Sequence, residues 1–228
     1  LGELTRRDRP VTLPLVGITA SGGILTLRIR YCGPGDAAAA AHLIEQVEVE
    51  VRSVLGDHCF ARGEGPGAEL LAADLIRRLK ATGQTLAVVE SCTGGMLGEI
   101  LTAGPGASAA FVGGFITYAN QQKIALGVRA ESLAAHGAVS PVVAAEMARA
   151  GRERTGASHC LAITGIAGPD GGSAAKPVGT VHLALDAEAG SRHERLTLVG
   201  DRAMIRRWTT SAALGMVRAW LNEGGGAK

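Results

Sequence analysis

The residue types that could do chemistry are most concentrated at 90–95, which reads Glu-Ser-Cys-Thr-Gly-Gly. This segment follows an apolar run typical of a strand and precedes a helical pattern, and strand ends of this kind face an open crevice in α/β proteins. Ser91 and Cys92 are therefore candidate nucleophiles. The next three residues would have free N–H groups at the start of the helix, able to stabilise an anion or oxyanion: Thr93, Gly94 and Gly95. The alternative interpretation is a helix cap and tight turn without chemistry.

Two further clusters occur at predicted strand ends or in loops. One predicted strand ends at Tyr118, and Lys123 follows about one helical turn later. A long polar loop at 164–173 is rich in glycine, and Lys176 comes shortly after it. Glycine outside regular structure costs conformational entropy unless the backbone adopts unusual angles or approaches a ligand closely. The loop is therefore the second candidate for a binding surface.

Composition excludes several classes of function. The chain has 23 basic and 21 acidic residues among 228, and aromatic residues make up only 3%. It therefore lacks both the basic surface and the stacking platforms typical of proteins that bind nucleic acid. The four cysteines, at 32, 59, 92 and 160, form no CxxC pair, which argues against a zinc site or a disulfide framework and favours a reducing cytoplasm.

Targeting signals are also missing from the sequence. The first residues lack the pattern of a signal peptide, and no apolar run reaches the roughly 18 residues of a membrane span. We therefore expect a soluble cytoplasmic protein with no membrane partner. The start at Leu1, without an initiator methionine, is expected of a processed or truncated chain.

The hydrophobic pattern predicts two domains. Residues 1–65 are expected to form a small α+β unit, with a half-buried strand at 24–31, a helix at 37–55 and a short strand at 58–61. The stretch 63–67 is rich in glycine and is predicted to be a linker. The second predicted domain covers 68–222.

Strands and helices alternate through the second domain. Helices are predicted at 68–81, 95–103, 120–136 (in pieces), 140–154 and 202–222, and strands at 85–90, 110–118, 158–164, 178–186 and 192–199. This alternation predicts an α/β fold: a three-layer arrangement in which a sheet of mostly parallel strands is flanked by helices. The last two strands, joined by a short turn, are expected to form an antiparallel hairpin at one edge.

Six short motifs follow one another through this domain: ESCTGG at 90–95, FVGG at 111–114, YANQQK at 118–123, GAVS at 137–140, ITGIAGP at 163–169 and KPVGT at 176–180. In type and order they resemble the CinA C-terminal domain, the nicotinamide mononucleotide amidohydrolase family, over residues 68–222. Residues 1–62 are more weakly similar to the small KH-like domain that precedes it in long CinA proteins. The resemblance also implies a homo-oligomer, in particular a homodimer.

The resemblance implies hydrolysis of the carboxamide of nicotinamide mononucleotide to nicotinate mononucleotide and ammonia. Amide hydrolysis needs a nucleophile, a base, oxyanion donors and an acid for the leaving amine. Ser91 is the expected nucleophile, with Cys92 packed beneath it, because neighbouring strand residues point to opposite sides. No Ser/His/Asp arrangement is visible, so Tyr118 and Lys123 are the candidate bases. Glu90 either orients Lys123 or is an ordinary strand-end charge.

The phosphate of such a substrate needs cations or clustered N–H groups. Candidates are the glycine-rich loop with Thr164, Gly165 and Gly168, together with Lys176, Arg202 and Arg206. No metal-ligand cluster is visible, and we expect neither a metal nor a cofactor.

Two other classes of function stay open. One is a nucleotide-binding or regulatory module without hydrolysis. The other is an enzyme whose turn after Glu90 cradles a phosphate, although the Walker and dinucleotide motifs are missing there.

Overall fold

The computed structural model describes residues 1–225. The chain divides into two compact units, Leu1–Gly67 and a second that starts at Ala68. None of the helices within 1–225 is both long and apolar enough to cross a membrane.

The first unit contains one hairpin and one long helix. Strands β1 (Leu15–Ser21) and β2 (Ile24–Arg30) pair antiparallel through a two-glycine turn. Both turn glycines have positive φ, which the tightest hairpin turns require. Helix α1 (Ala37–Leu55) starts at Asp36, whose carboxylate caps it by accepting the Ala39 N–H. Its apolar side packs on the hairpin in a small core of Leu4, Val16, Val47 and Val51.

The sequence prediction for this unit was incomplete. Helix α1 and strand β2 lie where they were expected, but β1 was missed and no strand forms at 58–61. Instead, Gly56–His58 form a 3₁₀ turn. The alternation of Val16, Ile18 and Ala20 with small or polar residues was the available signal for β1, which pairs with β2 along its whole length.

The second unit is an α/β domain around a five-stranded sheet. Its strands are β3 (Leu86–Glu90), β4 (Phe111–Ile116), β5 (His159–Gly165), β6 (Thr180–Ala187) and β7 (Gly190–Thr197). Their order in the sheet is β4-β3-β5-β6-β7. Strand β3 pairs parallel with β4 and β5, while β6 and β7 form the expected antiparallel hairpin at one edge. The predicted α/β class is confirmed, and the sheet combines two parallel pairings with two antiparallel ones.

Helices of this unit are α2 (Gly67–Ala81), α3 (Met96–Thr102), α4 (Asn120–Leu126), α5 (Ala130–His136), α6 (Pro141–Thr155) and α7 (Arg202–Asn222). Helix α6 is capped by Ser140, whose hydroxyl accepts the Val143 N–H. Its buried side chains pack on one sheet face, which presents Cys160, Ala162 and Ala184. Leucines and isoleucines of β5 and β6 alternate to the other face, and α7 contacts both strands.

A buried carboxylate joins α2 to α7. Asp74 is 5% exposed and accepts hydrogen bonds from Arg77 and Arg78 of its own helix. Arg218 of α7 also bonds this carboxylate. The arginines satisfy a charge that would be costly to bury alone.

Two histidines stack at the β6–β7 edge. The His182 Nδ1 and His193 Nε2 atoms lie 2.9 Å apart. Burial, together with the positive charges of His193, Arg195 and Lys176, lowers the pKa of His182 to about 4. A histidine in the unfolded chain takes up its proton near pH 6.5, whereas folded His182 does so only near pH 4. Lowering the pH between these two values therefore favours the unfolded chain.

We therefore expect the free energy of unfolding to fall as the pH is lowered from 7 to 4.5, with His182 contributing about 1 to 2 kcal/mol of the loss. Denaturant titrations followed by the fluorescence of Trp208 and Trp220, both in α7, measure this unit specifically. In His182→Gln the pH dependence should be shallower, whereas the exposed-site control His136→Gln should match the parent. An unchanged slope in His182→Gln would contradict the assignment.

Candidate active site

The ends of three adjacent parallel strands meet at one edge of the sheet. Strand β3 leads into Ser91, β4 leads into Thr117 and Tyr118, and β5 ends at Gly165. Because β3 lies between the other two strands, these ends converge around Ser91. This edge is the crevice predicted from the topology.

Ser91 and Lys123 form a buried pair. Lys123 lies in α4, one short loop after β4, and its Nζ is 3.1 Å from the Ser91 Oγ. Both residues are buried, and Lys123 is only 1% exposed. The Lys123 Nζ also donates to the carbonyl oxygens of Thr117, at 2.7 Å, and Tyr118, at 3.3 Å.

The burial and hydrogen bonds of Lys123 are compatible with a neutral amine. Burial lowers the pKa of the Lys123 amine below its ordinary value. The two carbonyl oxygens can only accept hydrogen bonds, so they take two N–H groups. The neutral amine then has a lone pair left for the hydroxyl proton of Ser91. This arrangement is that of a general base beside a nucleophile.

Tyr118 lies farther out than the other candidate base. Its side chain is 60% exposed, and its hydroxyl accepts a hydrogen bond of 2.9 Å from the Arg202 guanidinium. Arg202 also donates to the Gly168 carbonyl oxygen at 2.8 Å. The first turn of α7 thereby joins the loops that follow β4 and β5.

Cys92 is poorly suited to nucleophilic attack. The residue is 6% exposed, and burial raises the pKa of its thiol to about 11. The thiolate is the nucleophilic form, so the thiol is inert near neutral pH. A side chain on Gly165 would come within 3.1 Å of the Cys92 Sγ, so glycine is needed for this close approach. The environments of the two neighbouring residues therefore favour Ser91 as the nucleophile.

The turn after Ser91 differs from the expectation of free N–H groups. The Gly94 N–H donates to the Ser91 carbonyl oxygen, and the Gly95 N–H donates to the Glu90 carboxylate at 3.0 Å. Within the described chain, the N–H groups of Cys92 and Thr93 have no oxygen acceptor. The expectation that Gly94 and Gly95 offer donors was wrong, because these groups stabilise the turn itself. The Glu90 side chain also does not contact Lys123, since its carboxylate points to the start of α3.

A cavity of about 270 Å³ opens above the Ser91–Lys123 pair. Eight of the residues singled out in the sequence line it: Ser91, Cys92, Tyr118, Lys123, Thr164, Gly165, Gly168 and Arg202. Thr164 is buried, and its hydroxyl donates to the Ala138 carbonyl oxygen at 2.8 Å. The structure thus gathers residues from three of the six motifs and from α7 around one space.

The other candidates do not line this cavity. The Arg206 guanidinium donates to the Thr93 carbonyl oxygen at 2.6 Å, and the Lys176 Nζ donates to the His136 carbonyl oxygen at 2.7 Å. Thr93 is fully buried, and its hydroxyl has no hydrogen-bond partner among residues 1–225. Gly94 and Gly95 form the turn beneath the cavity. These residues support the loops around the site.

Sequence reasoning missed several residues of the cavity wall. Asn120, Asp170, Ala138 and Val139 line it, although no role was assigned to them. The first belongs to the YANQQK motif and the last two to GAVS, so their motifs were the available signal. Throughout the described chain, no three His, Cys, Asp or Glu side chains are close enough to share a metal ion.

Comparison with known proteins places this site in a family. The model of the CinA C-terminal domain matches residues 68–221. A CinA-like protein from Parasynechococcus marenigrum is 44% identical over 208 residues, covering 90% of this chain and 48% of the relative. A putative competence-damage inducible protein from Moorella thermoacetica is 41% identical, covering 93% of this chain and 49% of the relative. The chain spans about half the length of these curated relatives.

Solved structures agree with the second unit. Competence/damage inducible protein CihA from Agrobacterium tumefaciens is 42% identical, with a TM-score of 0.67 over 69% of this chain and 98% of that one. A CinA superfamily protein from Klebsiella pneumoniae is 33% identical, with a TM-score of 0.67, and 99% of it is covered by 69% of this chain. The similarity of residues 1–62 to a KH-like domain stays a prediction. From its match over 68–221 and from these relatives, the chain belongs to the CinA family.

Proposed function

We propose that this chain hydrolyses the carboxamide of nicotinamide mononucleotide, releasing ammonia and nicotinate mononucleotide. The observation that carries the proposal is the 3.1 Å contact between the Lys123 Nζ and the Ser91 Oγ in a buried setting. A serine with an adjacent base is a nucleophile suited to acyl transfer. The family resemblance supplies the substrate.

The reaction has two steps. Lys123 takes the Ser91 proton while the Oγ attacks the carboxamide carbon, and the tetrahedral oxyanion then collapses. The carbon–nitrogen bond breaks, the amine takes up the proton held by Lys123, and ammonia leaves an acyl-serine. Water, deprotonated by Lys123, attacks this ester, releases the carboxylate and restores the Ser91 hydroxyl.

Oxyanion stabilisation requires N–H donors close to Ser91. Thr93 is the one of the three expected donors whose N–H has no oxygen acceptor in the described chain. The Cys92 N–H has none there either. Cys92 lines the cavity, whereas Thr93 is fully buried and does not. We therefore assign the oxyanion to the Cys92 N–H. A backbone N–H group is uncharged, so this donor does not oppose the uptake of the Ser91 proton by Lys123.

The cavity also has a group suited to the substrate phosphate. Two cationic side chains of the described residues line it, Lys123 and Arg202, and Lys123 is committed to Ser91. Arg202 is therefore our phosphate ligand, since guanidinium groups bind phosphate through paired N–H donors. Its existing contacts with Tyr118 and Gly168 hold it at the cavity edge. Tyr118 is then placed to contact the substrate or to pass a proton.

The setting we propose is a homo-oligomer in a reducing cytoplasm. All four cysteines are free, including the exposed Cys32 and the partly exposed Cys59. Unpaired thiols of this kind are usual where glutathione keeps cysteine reduced. Light scattering of the purified chain measures the oligomeric state.

The nucleophile is tested by ammonia release from nicotinamide mononucleotide in the presence of EDTA. Ser91→Ala should lower kcat by about 10³-fold or more, because it removes the attacking atom. The matched control is Ser191→Ala at the exposed start of β7, which should retain parental activity. Substrate binding by calorimetry without turnover in the parent would instead favour the non-hydrolytic nucleotide-binding module.

A second pair of variants separates the two candidate bases. Lys123→Met keeps the size of the buried side chain and removes the amine, and we expect a kcat loss on the order of 10³-fold. Tyr118→Phe removes only a hydroxyl that faces Arg202, and we expect a loss of about tenfold. Steady-state kinetics measure both. The reverse ranking would give the role of base to Tyr118.

A further inference from the structure

Glu90 is a buried carboxylate directly before Ser91. It is 1% exposed, and three backbone N–H groups donate to it at the start of α3. Its Oε2 accepts from Gly95 at 3.0 Å and from Leu97 at 3.1 Å, and its Oε1 accepts from Gly98 at 2.8 Å. Both oxygens of the carboxylate are therefore used, and each faces only donors.

These hydrogen bonds close a loop around Ser91. The chain leaves Glu90, passes through the nucleophile and returns to the Glu90 carboxylate at Gly95. Gly94 and Gly95 have φ values of 60° and 97°, a left-handed region that favours glycine and turns the chain back. Inside the loop, the Gly94 N–H donates to the Ser91 carbonyl oxygen at 3.1 Å. These hydrogen bonds, one to the residue before Ser91 and one to Ser91 itself, restrain the Ser91 backbone.

The backbone of Glu90 connects the same loop to Lys123. Its carbonyl oxygen accepts the Thr117 N–H at 2.8 Å, and the Thr117 carbonyl oxygen accepts from the Lys123 Nζ at 2.7 Å. One residue therefore anchors the turn that carries the hydroxyl and the strand end that orients the amine. A separation of 3.1 Å between those groups depends on both anchors.

We infer that Glu90 is a positioning residue, whose side chain, bonded through both oxygens to the start of α3, holds the Ser91 hydroxyl in line with the Lys123 amine. The inference rests on the proposed function of this pair. Glu90 contacts neither group through its own side chain, so it acts through the turn. Small displacements of reacting groups lower the rate of the chemical step more than they weaken substrate binding.

Glu90→Gln tests the role of the charge at constant size. An amide has one oxygen, so its NH₂ group must face either Gly98 or the pair Gly95 and Leu97, where only donors are present. We expect kcat to fall about 10- to 100-fold while KM stays within about twofold. The rate at which a fluorophosphonate labels Ser91, with loss of fluoride, should fall by a similar factor.

The matched control is Asp74→Asn, a second buried carboxylate that is bound by Arg77 and Arg78 and does not line the cavity. It should lower the free energy of unfolding but leave kcat and the labelling rate unchanged. All assays are run at a temperature where circular dichroism shows each variant to be folded. If Glu90→Gln does not fold, Glu90→Asp takes its place, because it keeps the charge and shortens the reach to Gly98.

The outcomes separate this inference from the proposed function. If the parent chain is labelled at Ser91 and the Glu90 variant is labelled at the same rate, the positioning role alone is overturned. A raised KM with unchanged kcat would overturn it too. A parent chain that neither labels at Ser91 nor releases ammonia would overturn the proposed function, and the positioning role with it. Labelling without ammonia release would refute the substrate and leave the labelling rates to decide the role of Glu90.

Discussion

The burial of the Lys123 amine beside Ser91 is the constraint on which the rest of the site depends. An amine taken out of water prefers to be neutral, and burial lowers the pKa of Lys123 in that direction. Two backbone carbonyl oxygens satisfy its N–H groups, leaving the lone pair for the hydroxyl. This arrangement supports the proposed role of Lys123 as the base for Ser91.

Neighbouring elements hold this pair together from different parts of the chain. The parallel register of β3 and β4 aligns Glu90 with Ile116, so Ser91 and Thr117 leave the sheet side by side. Arg202 and Arg206 lie one turn apart in α7 and hydrogen-bond the loops after all three parallel strands, at Thr93, Tyr118 and Gly168. A single helix far along the sequence thus fixes the geometry of the crevice.

Much of this arrangement could be predicted from sequence, because it depends on local signals. The apolar run before Glu90 defined β3, and the residue types at strand ends singled out Ser91, Tyr118 and Lys123. Part of what failed was local. The N–H groups of Gly94 and Gly95 are taken up within the turn itself, and β1 is mostly exposed although it pairs with β2 along its length. That Arg206 bonds a backbone carbonyl required the packing of α7 against the turn after β3.

The charge state of Lys123 can be measured directly. In the ¹⁵N-lysine-labelled chain, the Nζ resonance of Lys123, assigned by its loss in Lys123→Met, is followed by NMR as a function of pH. Its midpoint should lie clearly below the ordinary lysine value of about 10.4, so that a neutral amine is available to take the Ser91 proton. A Lys123 that remains an ammonium up to that value or beyond would contradict its role as the base for Ser91.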